Sequence, residues 1–77
     1  MNGDPTFAIH GPESLGAAIR HYRREAGITQ DELARRTSLN RTYVSALEQG
    51  HHTVQMNRVL RLLRELGLRM TIEKADP

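Results

Sequence analysis

The chain has 77 residues, with 11 Lys and Arg against 9 Asp and Glu for a net charge of +2, and no cysteine. That length admits one domain with a small core, leaves no room for an enclosed catalytic pocket, and favours association with a second copy. The absence of cysteine excludes disulfides and thiolate sites and fits a reducing cytoplasm, while no apolar run approaches the roughly 20 residues of a membrane span and the N-terminus lacks a signal peptide's basic start.

A net charge of this size does not by itself argue for nucleic acid. Its composition is more telling: every basic residue except Lys74 is arginine, whose planar fork donates bidentately to phosphate and to guanine O6 and N7.

Residues 1–11 carry Gly3, Pro5 and Gly11 and no Lys or Arg. They read as a flexible arm, disordered or docked on protein, with Phe7 and Ile9 as anchors or as the alternating positions of a short strand. Pro12 suits a helix entrance, where its missing N–H is not needed. A first helix is predicted over 13–26, with Leu15, Ala18, Ile19, Tyr22 and Ala26 as the buried stripe and Gly27 closing it. Arg20, His21 and Arg24 lie off that stripe, on a face that is solvated or meets phosphates.

Thr29 and Glu32 have the spacing of a capping box, so a second helix starts there, with Leu33 and Ala34 inward and Arg35 and Arg36 outward. Residues 37–40 form a turn. Asn40 caps a third helix from Arg41, which buries Val44 and Leu47 and stops at Gly50. The first turn and outer face of this helix hold Asn40, Arg41, Thr42, Tyr43 and Ser45. These are donors, acceptors and a cation on a helix that can enter a groove. The pattern is a helix-turn-helix.

His51 and His52, with His10 and His21, raise the question of zinc. Without cysteine or an i, i+4 histidine pair, a four-ligand structural site is not expected; backbone contact to phosphate suits this loop better. A fourth helix is predicted over 56–66. Its apolar residues Met56, Val59, Leu60, Leu62, Leu63 and Leu66 exceed one stripe, and Leu62 and Leu66 suggest a second buried surface.

After Gly67 the period changes. Leu68, Met70 and Ile72 alternate with polar residues, as in a half-buried strand. One strand in a helical domain would leave its backbone groups unpaired, so pairing with the same strand of a second copy, across a twofold axis, is expected. Leu66, Leu68, Met70 and Ile72 are the dimerisation residues on this reading. The fold class is all-α, with four to five short helices plus a C-terminal β-strand. Residues 1–11 form an arm, 12–67 the helix-turn-helix domain, and 68–77 the dimerisation strand and tail.

The segments Gly27-Ile28-Thr29-Gln30, Glu32-Leu33-Ala34 and Val44-Ser45-x-Leu47-Glu48-x-Gly50 resemble the lambda-repressor/Cro-like (Xre) helix-turn-helix family over roughly residues 15–67. The resemblance implies a DNA-binding repressor. It gives Gln30 a phosphate contact and support of the recognition helix, puts Asn40, Arg41, Thr42 and Ser45 at base edges, and sets Tyr43 beside them within reach of backbone or sugar. It also pairs Arg23 with Glu48 in a partly buried ion pair. Gln55 departs from the family's Ser or Thr before helix 4, and Thr53 is the alternative cap. The run Leu66-Gly67-Leu68-Arg69-Met70-Thr71-Ile72 looks like the tail of HipB-type antitoxins. That similarity implies a cytoplasmic homodimer, nucleoid-associated when bound to a near-palindromic operator, and a HipA-type kinase toxin as partner. A stand-alone Xre-family repressor without a toxin is the alternative. Catalysis is not expected: Glu32 and Glu48 have structural roles, Ser45 has no base partner, and no cofactor or metal is implied.

Overall fold

Four helices follow one another in the computed structural model, which describes residues 6–51 and 55–71: α1 (Pro12–Glu25), α2 (Gln30–Arg36), α3 (Arg41–Glu48) and α4 (Met56–Glu65). Local chemistry sets their starts. Ser14 Oγ accepts from the backbone of His10 and Gly11 at 2.7 and 3.1 Å, fixing the entrance to α1. Thr29 Oγ1 accepts from the Glu32 amide at 3.0 Å while Glu32 accepts from the Thr29 amide at 2.8 Å, a closed capping box. Asn40 Oδ1 accepts from the Tyr43 amide at 2.7 Å at the head of α3. Gln55 precedes α4 in extended conformation with no side-chain cap, its carbonyl accepting from Arg58 and Val59. Thr53 lies outside the described residues.

The core is aliphatic. Leu15 and Ile19 of α1, Leu33 and Ala34 of α2, Val44 and Leu47 of α3, and Val59, Leu62 and Leu63 of α4 form one cluster, with Ile28, Leu39, Tyr43, Leu66 and Leu68 packed against it. Leu62 is wholly buried within this core, so it is not the surplus apolar residue expected from the sequence; the exposed apolar positions on α4 are Met56 and Leu60. Ala26 is also exposed, because α1 ends at Glu25 and Ala26 caps it. Tyr22 is half-buried, and the buried position beside it belongs to Arg23.

α1 and α3 touch backbone to backbone. A methyl group built on Gly16 would lie 2.8 Å from the Glu48 carbonyl oxygen and closer still to that of Leu47. Gly50 stops α3 with φ +83° and packs against Glu13, so the end of α3 meets the first turn of α1. In the turn between α2 and α3 the left-handed residue is Ser38, at φ 61°. A side chain there is sterically disfavoured.

The arm is partly placed. Residues 6–10 are irregular rather than a strand, and the Phe7 ring packs on His21 and Tyr22 of α1 at centroid distances of 5.1 and 5.6 Å. Ile9 stays exposed and anchors nothing. At the other end, no strand occurs among the described residues. Leu68 donates its amide to Leu63 O at 2.8 Å and turns its side chain onto the core. It completes the end of α4, in the manner of a Schellman cap. Residues 69–71 are exposed and irregular, and Ile72 lies outside the described residues. No helix among the described residues is long and apolar enough to cross a membrane.

Candidate nucleic-acid interface

The site is organised around the end of α3. Glu48, 3% exposed, receives Arg23 Nε at 2.6 Å and Arg23 Nη2 at 3.0 Å, a bidentate pair between α1 and α3. Gln30, the first residue of α2, donates to the same carboxylate at 3.0 Å. Arg20 adds a contact at 3.6 Å to the carboxylate and a hydrogen bond at 3.1 Å to the Glu48 carbonyl. Arg23 also donates to Ile28 O at 2.9 Å, which closes the loop between α1 and α2. Burial pushes the Glu48 carboxyl up, but the hydrogen bonds from Arg23 and Gln30 and the charges of Arg23 and Arg20 outweigh it and hold the group below the usual carboxylate range. The hydrogen bond to Glu48 raises Arg23 above its ordinary value against the opposing effect of burial.

One carboxylate thus fixes the C-terminal end of α3 to both preceding helices. The other end is left to project. Asn40, Arg41 and Thr42 are exposed, and Ser45 on the next turn is half-buried and accepts from Gln49 Nε2 at 3.2 Å. The leading N–H groups of α3 point outward with the positive end of the helix dipole, where an anion is favoured. Because Asn40 Oδ1 is engaged by the Tyr43 amide, its amide group is better placed to donate to a phosphate than to make a bidentate pair with adenine. Arg41 is free of such duties. No hydrogen bond or ion pair holds it among the described residues, so its fork is available to guanine or phosphate.

Gln30 is engaged with Glu48 and so braces α3. Tyr43 faces inward. Its ring packs against the core, the Arg58 guanidinium lies 5.2 Å from the ring centroid, and its hydroxyl is buried with no hydrogen-bond partner among the described residues. An unpartnered buried hydroxyl is destabilising by about 1–3 kcal/mol. Tyr43→Phe should therefore raise the melting temperature by several degrees, by about 4–8 °C per kcal/mol for a chain of this size. Its DNA affinity should stay unchanged in a titration with labelled duplex; a loss of affinity would show that the hydroxyl does reach the nucleic acid.

Sequence reasoning gave Arg20 a solvated or phosphate-facing place without linking it to Glu48, and did not single out Gln49 or Arg58. Arg20 has the spacing of an ordinary solvated charge, and only its approach to Glu48 across α1 and α3 marks it. Of the residues expected at a subunit contact, Leu66 and Leu68 are half-buried against the core, Met70 is exposed at 43%, and Ile72 is outside the described residues.

A family described as "Helix-turn-helix domain" matches residues 14–73. The chain is 36% identical over 64 residues to an uncharacterised HTH-type transcriptional regulator, y4mF, of Sinorhizobium fredii, covering 83% of this chain and 84% of that protein. Among solved structures, it is similar to HipB in a HipB–O2 20mer complex, with TM-score 0.84, 26% identity, and coverage of 94% of this chain and 100% of that one. A second similarity is to a chain of a HipA–HipB–O2–O3 complex, with TM-score 0.82, 26% identity, and coverage of 90% and 97%.

Proposed function

Since the chain belongs to the helix-turn-helix family of DNA-binding transcriptional regulators, with an Xre- and HipB-like build, we propose that it is a homodimeric repressor of a near-palindromic operator and the antitoxin of a HipBA-type pair. The family is non-enzymatic. The observation that carries the DNA-binding face is α3 itself: pinned at Glu48 and exposed at Asn40, Arg41 and Thr42. Two such helices, one from each copy, would enter successive major grooves one helical turn apart. Arg41 grips guanine, Asn40 donates to phosphate, and the Thr42 methyl packs on a thymine methyl. Gln30 and the Arg23–Glu48 pair hold the helix at its working angle. The dimer forms through Leu66, Leu68, Met70 and Ile72. Sedimentation of the full chain should give twice the monomer mass, and a chain ending at Gly67 should sediment as a monomer.

Arg41→Ala should cost roughly 1–3 kcal/mol in operator binding and relax the preference for one base pair per half-site. Fluorescence anisotropy against operator and scrambled duplexes, repeated across salt concentrations, checks this. Equal affinity and equal preference for wild type and variant would remove Arg41 from the interface.

The toxin half of the proposal draws on the likeness to a chain solved as part of a HipA–HipB–O2–O3 complex. On this reading the protein binds a HipA-type kinase toxin and represses its own operon when loaded. Isolation of the tagged protein at natural abundance, followed by mass spectrometry, should yield one kinase-like chain in stoichiometric amount. Recovery of the dimer with DNA alone would leave a stand-alone repressor.

A further inference from the structure

We propose that the cleft between the end of α2 and the last turns of α4 is a receptor for a dianionic phosphoryl group, built from residues other than those assigned above to DNA reading. The cleft has a volume of about 300 Å³ and is lined by Arg36, Thr37, Ser38, Arg61, Arg64 and Glu65. Three guanidiniums face one carboxylate there, which leaves two positive charges unbalanced. A carboxylate or a DNA phosphodiester would neutralise only one of them. A phosphomonoester carries about 1.5 to 2 negative charges near neutral pH and three strong acceptor oxygens, which suits a cluster of arginines.

The geometry is partly fixed before any ligand arrives. Arg61 Nη1 is held by the Thr37 carbonyl at 3.1 Å, so its remaining N–H groups have a defined location. Arg36 touches Glu65 at only 3.8 Å, both side chains partly exposed, a contact that an incoming anion can displace. Arg64, one turn beyond Arg61 on the same face of α4, has no hydrogen bond or ion pair among the described residues. The hydroxyls divide as well. Thr37 Oγ1 is turned inward to Leu33 O at 2.8 Å, whereas Ser38 lines the cleft from a left-handed backbone position that glycine would occupy without steric cost. Ser38 thus places a hydroxyl donor beside the three arginines.

Two sources share this chemistry: a small free phosphomonoester and a phosphorylated side chain of a protein. The test is NMR titration of the full chain at constant ionic strength with methyl phosphate, with dimethyl phosphate as the singly charged mimic of a DNA backbone, and with a phosphoserine peptide and its unphosphorylated twin. Methyl phosphate or the phosphopeptide should saturate shifts at Arg36, Ser38, Arg61 and Arg64, and dimethyl phosphate should bind at least about tenfold more weakly, as expected for the loss of one charge-assisted contact. Arg64→Gln should weaken binding by a similar factor with an unchanged melting temperature. Ser38→Gly should weaken binding while raising the melting temperature, which separates ligand contact from folding. Peptide binding far stronger than methyl phosphate assigns the site to a protein side chain, and equal affinities assign it to a small ligand. The proposal is overturned by unsaturable shifts spread over all the arginines (an adventitious ion only), by shifts centred on Asn40 to Ser45, by dimethyl phosphate binding as well as methyl phosphate, or by an unphosphorylated peptide that binds like its twin.

Discussion

Glu48→Ala should destabilise the fold by about 3–5 kcal/mol, far more than loss of an exposed ion pair, because it strands Arg23 in the interior and releases Gln30 and Arg20 together. For a chain of this size that lowers the melting temperature by tens of degrees, at about 4–8 °C per kcal/mol. The double variant Arg23→Met, Glu48→Met should recover much of the loss, since no charge is then left buried. An unchanged melting temperature for Glu48→Ala would remove the pair from the account of stability. DNA binding supplies a second readout. With its C-terminal end unpinned, α3 loses its fixed angle, so the double variant should fold and yet bind operator weakly.

The same carboxylate predicts the pH response. Glu48 is held below its ordinary value of 4.5, so the folded state binds its proton less readily than the unfolded state. Its contribution is present above about pH 4.5 and is lost as pH falls through the depressed folded value. Glu32 shifts in the same direction, held down first by the Thr29 amide and then by the Thr29 hydroxyl. The raised Arg23 changes nothing below the alkaline limit. Thermal melts between pH 7 and 3 should therefore fall steeply at the acid end for wild type. The slope should be shallower for the double variant, and a wild-type melting temperature independent of pH would contradict the buried pair.

These results bear on what a sequence discloses. Thr29 with Glu32 and Asn40 before Arg41 announce α2 and α3 because capping is local chemistry: the partners are three residues apart and need no tertiary contact to find each other. The Arg23–Glu48 pair came from family resemblance, since nothing within either helix says that residues 25 apart will meet. α4 was legible as a helix but not in its orientation. Apolar residues around more than half its circumference leave the buried phase undetermined, and contact with α2 decides that Leu62 goes inside while Leu60 stays out. Tyr43 is a related case. A tyrosine beside Arg41 and Thr42 reads as part of a polar face, yet at the third helical position its ring swings to the core side. The tail alternates as a strand would, but Leu68 is claimed by the end of α4.

Gly16 was the least legible residue of all, and it carries the other large prediction. Within α1 a glycine looks like a mild weakness, since alanine would improve helix propensity by about 1 kcal/mol. Tertiary contact reverses the sign. The added methyl group would meet the carbonyl oxygens of Leu47 and Glu48, and these are backbone atoms that no rotamer change can move aside. α1 must then slide away from α3, which opens the core at Leu15 and Ile19 and lengthens the contacts from Arg20 and Arg23 to Glu48. Overpacking of this kind typically costs 1–3 kcal/mol, and here it adds to a weakened buried ion pair. Gly16→Ala should therefore lower the melting temperature by roughly 4–24 °C, at about 4–8 °C per kcal/mol. Gly11→Ala provides the control, because a methyl group there meets nothing within 4 Å and the backbone is extended. If both variants melted together with wild type, the close crossing of α1 and α3 would be wrong. If Gly16→Ala alone unfolds early, the absence of one methyl group is what lets the Glu48 network form and holds α3 in place to read DNA.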